Sequence, residues 1–321
     1  GRKRRRSKPA LLLEILRFAQ DHGEGVGFGS ESGYARMMTR RTALAATAAA
    51  ISSPALAALP PSPPKRIAYG AHTSQWGDLY LPRGPGKLPV VAIVHGGFWR
   101  ERYTAELGVK LAQDLAANHP VAAWNVEYRR VGGGGGFPAT LEDVAAAIDA
   151  LAGPAQEAAE GRLDLSRVVA VGHSAGGHLV GWLASRHRLP VGAPGANPRV
   201  RLKGAVPQAG VLDLADGAAQ RLGDGAIDAF LGAKAESVPE RIAVASPIAL
   251  LPAGVPVICV HGDADDTVPI RQSERYVAAA GAAGDPARLV RLPGTGHFEV
   301  IDPADPAWRA CKQAALEIAG A

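Results

Sequence analysis

Residues Val168–Gly177 read VVAVGHSAGG. A β-branched apolar run enters Gly172-His173-Ser174-Ala175-Gly176, and Gly177 follows. The run predicts a strand covered on both faces. The small residues around Ser174 let the chain turn sharply into a helix that starts at Ala175. A side chain on such a turn is held out at the helix N-terminus. A bare G-x-S-x-G arises by chance, but a strand before it and a helix after it mark Ser174 as a candidate nucleophile.

Working outward, strand and helix patterns alternate. Strands are predicted at Arg66–Tyr69, Gln75–Leu81, Val90–His95, Val121–Glu127, Leu202–Gln208, Val255–His261 and Arg288–Leu292 besides Val168–His173. Helices are predicted at Thr104–Asn118, Thr140–Leu151, Ala175–Arg186, Ile270–Ala280 and Pro306–Ala319. The first helix carries Leu107, Leu111 and Leu115 in an i, i+4 stripe. The second opens with Thr140 ahead of Asp143, a cap-like start. Such alternation implies an α/β domain with a mostly parallel eight-stranded sheet flanked by helices. Residues 211–252 break the alternation, with short helices at Ile227–Leu231 and Pro239–Val244. They predict a small cap insertion above the carboxyl ends of the strands.

A serine hydroxyl needs a base, and the base needs an orienting acid. Both occur later in the chain, each after a strand. Leu289–Leu292 runs into Pro293-Gly294-Thr295-Gly296-His297-Phe298, which offers His297. Val257–Val260 runs into His261-Gly262-Asp263-Ala264-Asp265-Asp266, which offers three aspartates. Asp265 is preferred, and spacing leaves Asp263 and Asp266 as alternatives, with turn formation the role of the spares. A metal site built on this His-x-Asp-x-Asp cluster is disfavoured, since no second histidine stands at ligand spacing.

Val90–Arg100, VVAIVHGGFWR, is a buried strand that ends in His95-Gly96-Gly97-Phe98-Trp99. There the amides of Gly97 and Phe98, with that of Ala175, can face an oxyanion, each donor being worth about 3–4 kcal/mol in a transition state. Trp99 and His95 are candidate pocket residues. The five-glycine loop Gly132–Gly136 is not followed by Lys-Ser/Thr, so it is no phosphate loop and reads as a mobile rim or a flexible surface loop.

The 321 residues carry a formal charge of +5. Residues 1–57 hold ten basic and four acidic residues, among them the Arg2–Arg6 run, so the basic excess sits there and no nucleic-acid partner is implied. Met37-Met38 precede Arg40-Arg41, the Ala/Leu/Ile stretch from Ala43 to Ile51, Pro54 and Ala55-Leu56-Ala57. This is the pattern of a cleaved signal peptide, and the paired arginines resemble a twin-arginine signal. The expectation is a true start at Met37 or Met38 and an exported, periplasmic or secreted protein, with no stable membrane insertion after cleavage. Residues 58–65 form a linker and 66–321 the folded domain. Cys259 and Cys311 could pair in an exported protein, but free buried thiols are preferred. Oligomeric state is unread.

The motifs His95-Gly96-Gly97-Phe98-Trp99, Gly172-His173-Ser174-Ala175-Gly176-Gly177-His178, His261-Gly262 with Asp265 and Val268-Pro269, and Gly296-His297-Phe298 with Ile301-Asp302-Pro303 resemble the α/β-hydrolase superfamily, in its kynurenine formamidase-like and carboxylesterase-like branch. The resemblance covers roughly residues 66–319. It implies the α/β-hydrolase fold and, by the pattern H-G-x-x-D-x-x-V-P, the acid at Asp265. It further implies a serine hydrolase acting through Ser174, His297 and Asp265 on small-molecule esters or amides. Carboxylic esters of small or aromatic acyl groups are the expected substrates, without metal or organic cofactor. An aryl formamidase, a small peptidase and a non-catalytic binding module are the alternatives.

Overall fold

The computed structural model describes residues 63–321. The proposed leader, the start at Met37 or Met38 and most of the linker lie outside the described residues. The strands are β1 (Lys65–Ala68), β2 (Trp76–Tyr80), β3 (Leu88–Val94), β4 (Ala122–Val126), β5 (Leu163–His173), β6 (Gly204–Gln208), β7 (Val257–Gly262) and β8 (Ala287–Leu292). They form one sheet in the order β1-β2-β4-β3-β5-β6-β7-β8. Only β2 runs against its neighbours; from β4 to β8 every pairing is parallel.

Parallel strands need crossovers, and these put helices on both faces. The helices are α1 (Glu106–Asn118), α2 (Ala139–Asp149), α3 (Pro154–Ala158), α4 (Ala175–Ser185), α5 (Leu214–Ala219), α6 (Ala226–Leu231), α7 (Pro239–Ala245), α8 (Arg271–Ala282) and α9 (Pro306–Ala319). Alternate residues of one strand feed two separate cores. Val90, Ala92 and Val94 of β3 join Val168 and Ala170 of β5 in a core with α2, α4 and α8. Val91 and Ile93 join Val169 and Val171 in a second core with α1 and α9. That double coverage is why these strands are continuous apolar runs rather than alternating ones. Trp308 Nε1 and Lys312 Nζ of α9 both donate to Asp114 of α1 at 2.7 Å, tying the two helices of the second core together. Among the described residues no helix is long and apolar enough to cross a membrane.

Two local expectations are corrected. Thr140 is not a cap: α2 starts after Pro138 with no side-chain cap. The Thr140 hydroxyl instead donates to the Arg129 carbonyl at 2.6 Å and accepts from Gly136 N at 2.9 Å, because it is buried beside the glycine loop. The α1 stripe is also shorter than predicted. Leu111 and Leu115 are buried, whereas Leu107 is 40% exposed, in the first turn of the helix. Cys259 and Cys311 are free and buried, and burial pushes both thiols up to about 12.

The residues between β6 and β7 form the predicted insertion, which also contains α5, absent from the sequence reading. Asp213 caps α5 by accepting from Asp216 N. The buried Gln272 of α8 accepts from Leu212 N and Asp213 N at 3.0 and 2.8 Å, and Arg275 pairs with Asp213. The insertion is thus fastened to the helix that follows the acid turn.

Candidate active site

β5 ends at His173, and Ser174 adopts φ 57° and ψ −114° before α4 begins. For a residue with a β-carbon this left-handed region costs on the order of 1–3 kcal/mol and persists only where the surroundings impose it. Here Ser174 N donates to the Gln208 carbonyl of β6 at 2.8 Å, and the Ser174 carbonyl accepts from His178 N in the first turn of α4. The turn also packs against the end of β3. A β-carbon added at Gly176 would stand 2.0 Å from the Val94 carbonyl oxygen, so only glycine allows this approach. Ser174 is buried, and its Oγ makes no hydrogen bond among the described residues.

Of the three candidate aspartates, Asp265 is the one that meets His297. His297 Nδ1 lies 2.6 Å from Asp265 Oδ2, and both side chains are buried. Asp265 Oδ1 accepts from Thr267 N and Val268 N, each at 2.8 Å. Burial works to raise the Asp265 carboxyl, but the hydrogen bonds from His261, His297 and Val268 outweigh it and hold the group well below the usual carboxylate range. Asp263 accepts from Gly294 N across to the histidine loop and Asp266 from the Thr267 hydroxyl, whereas the local amide bonds expected of the spare aspartates fall to Asp265. Backbone bonds from Asp263 N to Leu292 and from Ala264 N to Thr295 hold the acid turn against the histidine loop.

His297 is hydrogen-bonded to His173, the residue that precedes Ser174. His173 Nε2 donates to the His297 carbonyl at 2.8 Å, and the two rings lie 4.5 Å apart. Burial lowers His173 to about 3, so this ring is neutral near pH 7 and sets no second cation beside a protonated His297.

The loop after β3 runs beside the serine. A β-carbon added at Gly96 would stand 3.2 Å from Ser174 Cβ. Gly97, Phe98 and Trp99 have φ of 111°, 52° and 54°. The N–H groups of Gly97 and Phe98 find no acceptor among the described residues. Ala175 is the first residue of α4, where an N–H has no partner within the helix. Three donors therefore remain uncommitted around Ser174. Gly97→Ala would drive a β-carbon to 2.4 Å from the Tyr103 ring in a conformation that side chains rarely adopt. The expected result is a fall of about 100-fold in turnover of p-nitrophenyl acetate, the typical loss of one oxyanion donor.

Trp99 and His95 are both buried. Trp99 is fully buried, stacked on Phe230 of α6 at 4.9 Å and edge-on to His178 of α4 at 5.2 Å. Its left-handed backbone turns the ring inward, where it anchors the loop. His95 is buried against Tyr128, with Nε2 3.1 Å from Glu127 Oε1 and Nδ1 2.8 Å from the Gly96 carbonyl. Glu127 also accepts from Ala105 N and Tyr128 N and pairs with Arg130. This buried carboxylate was missed in the sequence; its signal is a charge that directly follows the apolar strand β4. The glycine loop is tied to the same region. Gly133 N and Gly135 N donate to the Arg130 carbonyl, Val131 N to Trp99, and Phe137 N to Phe230 of the insertion. Phe98 is half-buried, with its ring over Gly223 of the insertion and near the Arg100 guanidinium, which donates to the Gly223 carbonyl. Phe298, 42% exposed, stands edge-on to His297 and was not singled out by sequence.

Comparison with known proteins agrees with this architecture. The BD-FAE family model matches residues 78–279. The chain is 26% identical over 262 residues to a probable isoprenylcysteine alpha-carbonyl methylesterase of Oryza sativa subsp. japonica, an alignment covering 74% of this chain and 58% of that protein. The chain thus spans less than two thirds of that relative. Among solved structures, the bifunctional GH43-CE protein of Bacteroides eggerthii superposes with a TM-score of 0.65 at 23% identity, over 79% of this chain and 37% of that one. The propionate-bound thermophilic esterase of Thermogutta terrifontis gives 0.61 at 24% identity, over 79% and 92%. At these identities the structural likeness is one of fold, and it is the α/β-hydrolase fold with its mostly parallel eight-stranded sheet. Ser174, Asp265 and the strands that precede them lie inside the matched span, and the chain belongs to the BD-FAE family of the α/β-hydrolase superfamily.

Proposed function

We propose that the chain is a serine hydrolase that cleaves carboxylic esters of small or aromatic acyl groups through an acyl-enzyme. The observation that carries this reading is the buried 2.6 Å bond between Asp265 and His297, set beside a strained Ser174. Asp265 fixes His297 with Nδ1 protonated and leaves Nε2 as the base. His297 takes the proton as Ser174 Oγ attacks the ester carbonyl. The N–H groups of Gly97, Phe98 and Ala175 hold the oxyanion of the tetrahedral intermediate. His297 then protonates the departing alcohol. Water, deprotonated by His297, attacks the acyl-serine, and the acid leaves with Ser174 restored.

The half-buried Phe98 in the loop after β3 and the exposed Phe298 beside His297 offer apolar surface for the substrate. A methylesterase relative and a propionate-bound esterase of the same fold support ester chemistry on small groups. A formamidase or a small peptidase would use the same three side chains, and no residue around the site favours an aminoaryl or peptide ligand. The test is a panel of p-nitrophenyl esters of graded chain length beside N-formylkynurenine, with a fluorophosphonate probe. Ester turnover and labelling at Ser174 are expected; turnover of the formamide alone would overturn the ester reading.

A further inference from the structure

His261 ends β7 and is fully buried, yet the mechanism above gives it nothing to do. Its Nε2 lies 2.9 Å from the Val268 carbonyl and 3.3 Å from Asp265 Oδ2, the oxygen that also holds His297. Both neighbours are acceptors, so Nε2 carries a proton. Its Nδ1 lies 2.8 Å from Ser273 Oγ, a hydroxyl in the first turn of α8 that can donate. The ring therefore touches the acid in two ways. It contacts the carboxylate directly, and it grips Val268, whose N–H in turn donates to Asp265 Oδ1.

We propose that His261 is a positioning residue for the acid: Ser273 fixes its Nε2–H tautomer, and that N–H shares the charge of Asp265 with His297 and sets the strength of the Asp265–His297 bond. The proposal rests on the triad reading of Ser174, His297 and Asp265. The other titratable groups around it are the Cys259 thiol, Tyr276 and His173, together with the exposed Asp263 and Asp266 of the same turn and Glu299 after His297. Burial holds Cys259 and Tyr276 far above neutral pH and His173 far below it. Asp265 and His297 are thus the groups through which a change at His261 reaches the pH profile.

Without the His261 donor, the Asp265 charge falls more fully on His297 and stabilises its imidazolium form. In His261→Phe the acid limb of kcat/KM for p-nitrophenyl acetate should then move up by about one pH unit, with kcat down about tenfold. His261→Gln, which returns an N–H at similar reach, should restore the wild-type limb. A merely structural role would lower activity in both variants and leave the limb in place, and that result would overturn the proposal. If His261→Phe does not fold, histidine ¹⁵N chemical shifts of the unaltered protein decide. Nε2 protonated and Nδ1 bare supports the proposal; a proton on Nδ1 overturns it. Loss of activity in Ser174→Ala with an unmoved limb in His261→Phe removes this proposal alone, whereas an active Ser174→Ala removes the triad reading beneath it.

Discussion

Ser174→Ala keeps the fold and loses ester hydrolysis by on the order of 10⁵–10⁶-fold, the loss expected when the nucleophile of an interdependent triad is removed. The magnitude follows from what remains. The uncommitted N–H groups at Gly97 and Phe98 still face a bound carbonyl, but His297 has no hydroxyl to deprotonate. Stability should move little. Alanine occupies the same left-handed conformation, and Ser174 Oγ makes no hydrogen bond among the described residues for the substitution to remove. Turnover of p-nitrophenyl acetate, fluorophosphonate labelling and thermal unfolding read the three quantities together. Retained turnover, or a label that survives, would remove Ser174 from the mechanism.

Asp265→Asn should cost about 10⁴-fold in kcat, as expected when the base is left in the wrong tautomer. The amide can still accept at one oxygen, where Thr267 N and Val268 N now donate. Its NH₂ would then face His297 Nδ1 and the His261 ring, donor against donor. The imidazole relieves this by moving its proton to Nε2, which removes the base. The same substitution gives a pH signature in stability. The folded carboxyl of Asp265 is depressed below an unfolded value near ~3.9. Its contribution is therefore present above that value and is lost as pH falls through the lower folded pKa. The gap in unfolding temperature between wild type and Asp265→Asn should be full near neutrality and shrink as pH falls below ~4. A gap independent of pH would mean that the carboxylate is not held in its charged form by its surroundings.

The central strands β3, β4, β6 and β7 and the later part of β5 were legible because they are covered on two faces, which leaves a hydropathy signal that solvent does not interrupt. The same logic explains the errors at their margins. β5 begins at Leu163, five residues before its apolar run, since Asp164–Arg167 are part-exposed or exposed at its start. α5 is short and contains Asp216 and Gly217, and it exists through the Asp213 cap and Gln272 rather than through periodicity. The candidate residues Ser174, Asp265 and His297 stood out in the sequence because each follows a strand end. Where Trp99 and His95 point was not. The backbone at Phe98 and Trp99 has positive φ, so neither strand nor helix periodicity carries across it. Likewise the motif placed His261 near Asp265, but only the structure shows which ring nitrogen meets which oxygen.

The register of β3 against β5 sets the distance between the two halves of the reacting centre. Val94 pairs with Gly172, so the loop of Gly97 and Phe98 and the turn at Ser174 leave adjacent parallel strands at the same rung, about 4.8 Å apart. That interval is a property of backbone pairing and is insensitive to which side chains decorate the strands. The insertion between β6 and β7, by contrast, is held to the rest by side-chain clasps such as Gln272 and Arg275. A chimera that exchanges residues 211–252 would have to keep Phe230 against Trp99 as well as Gly223 beneath Phe98, so substrate choice could diverge by grafting around these contacts rather than by replacing the whole insertion.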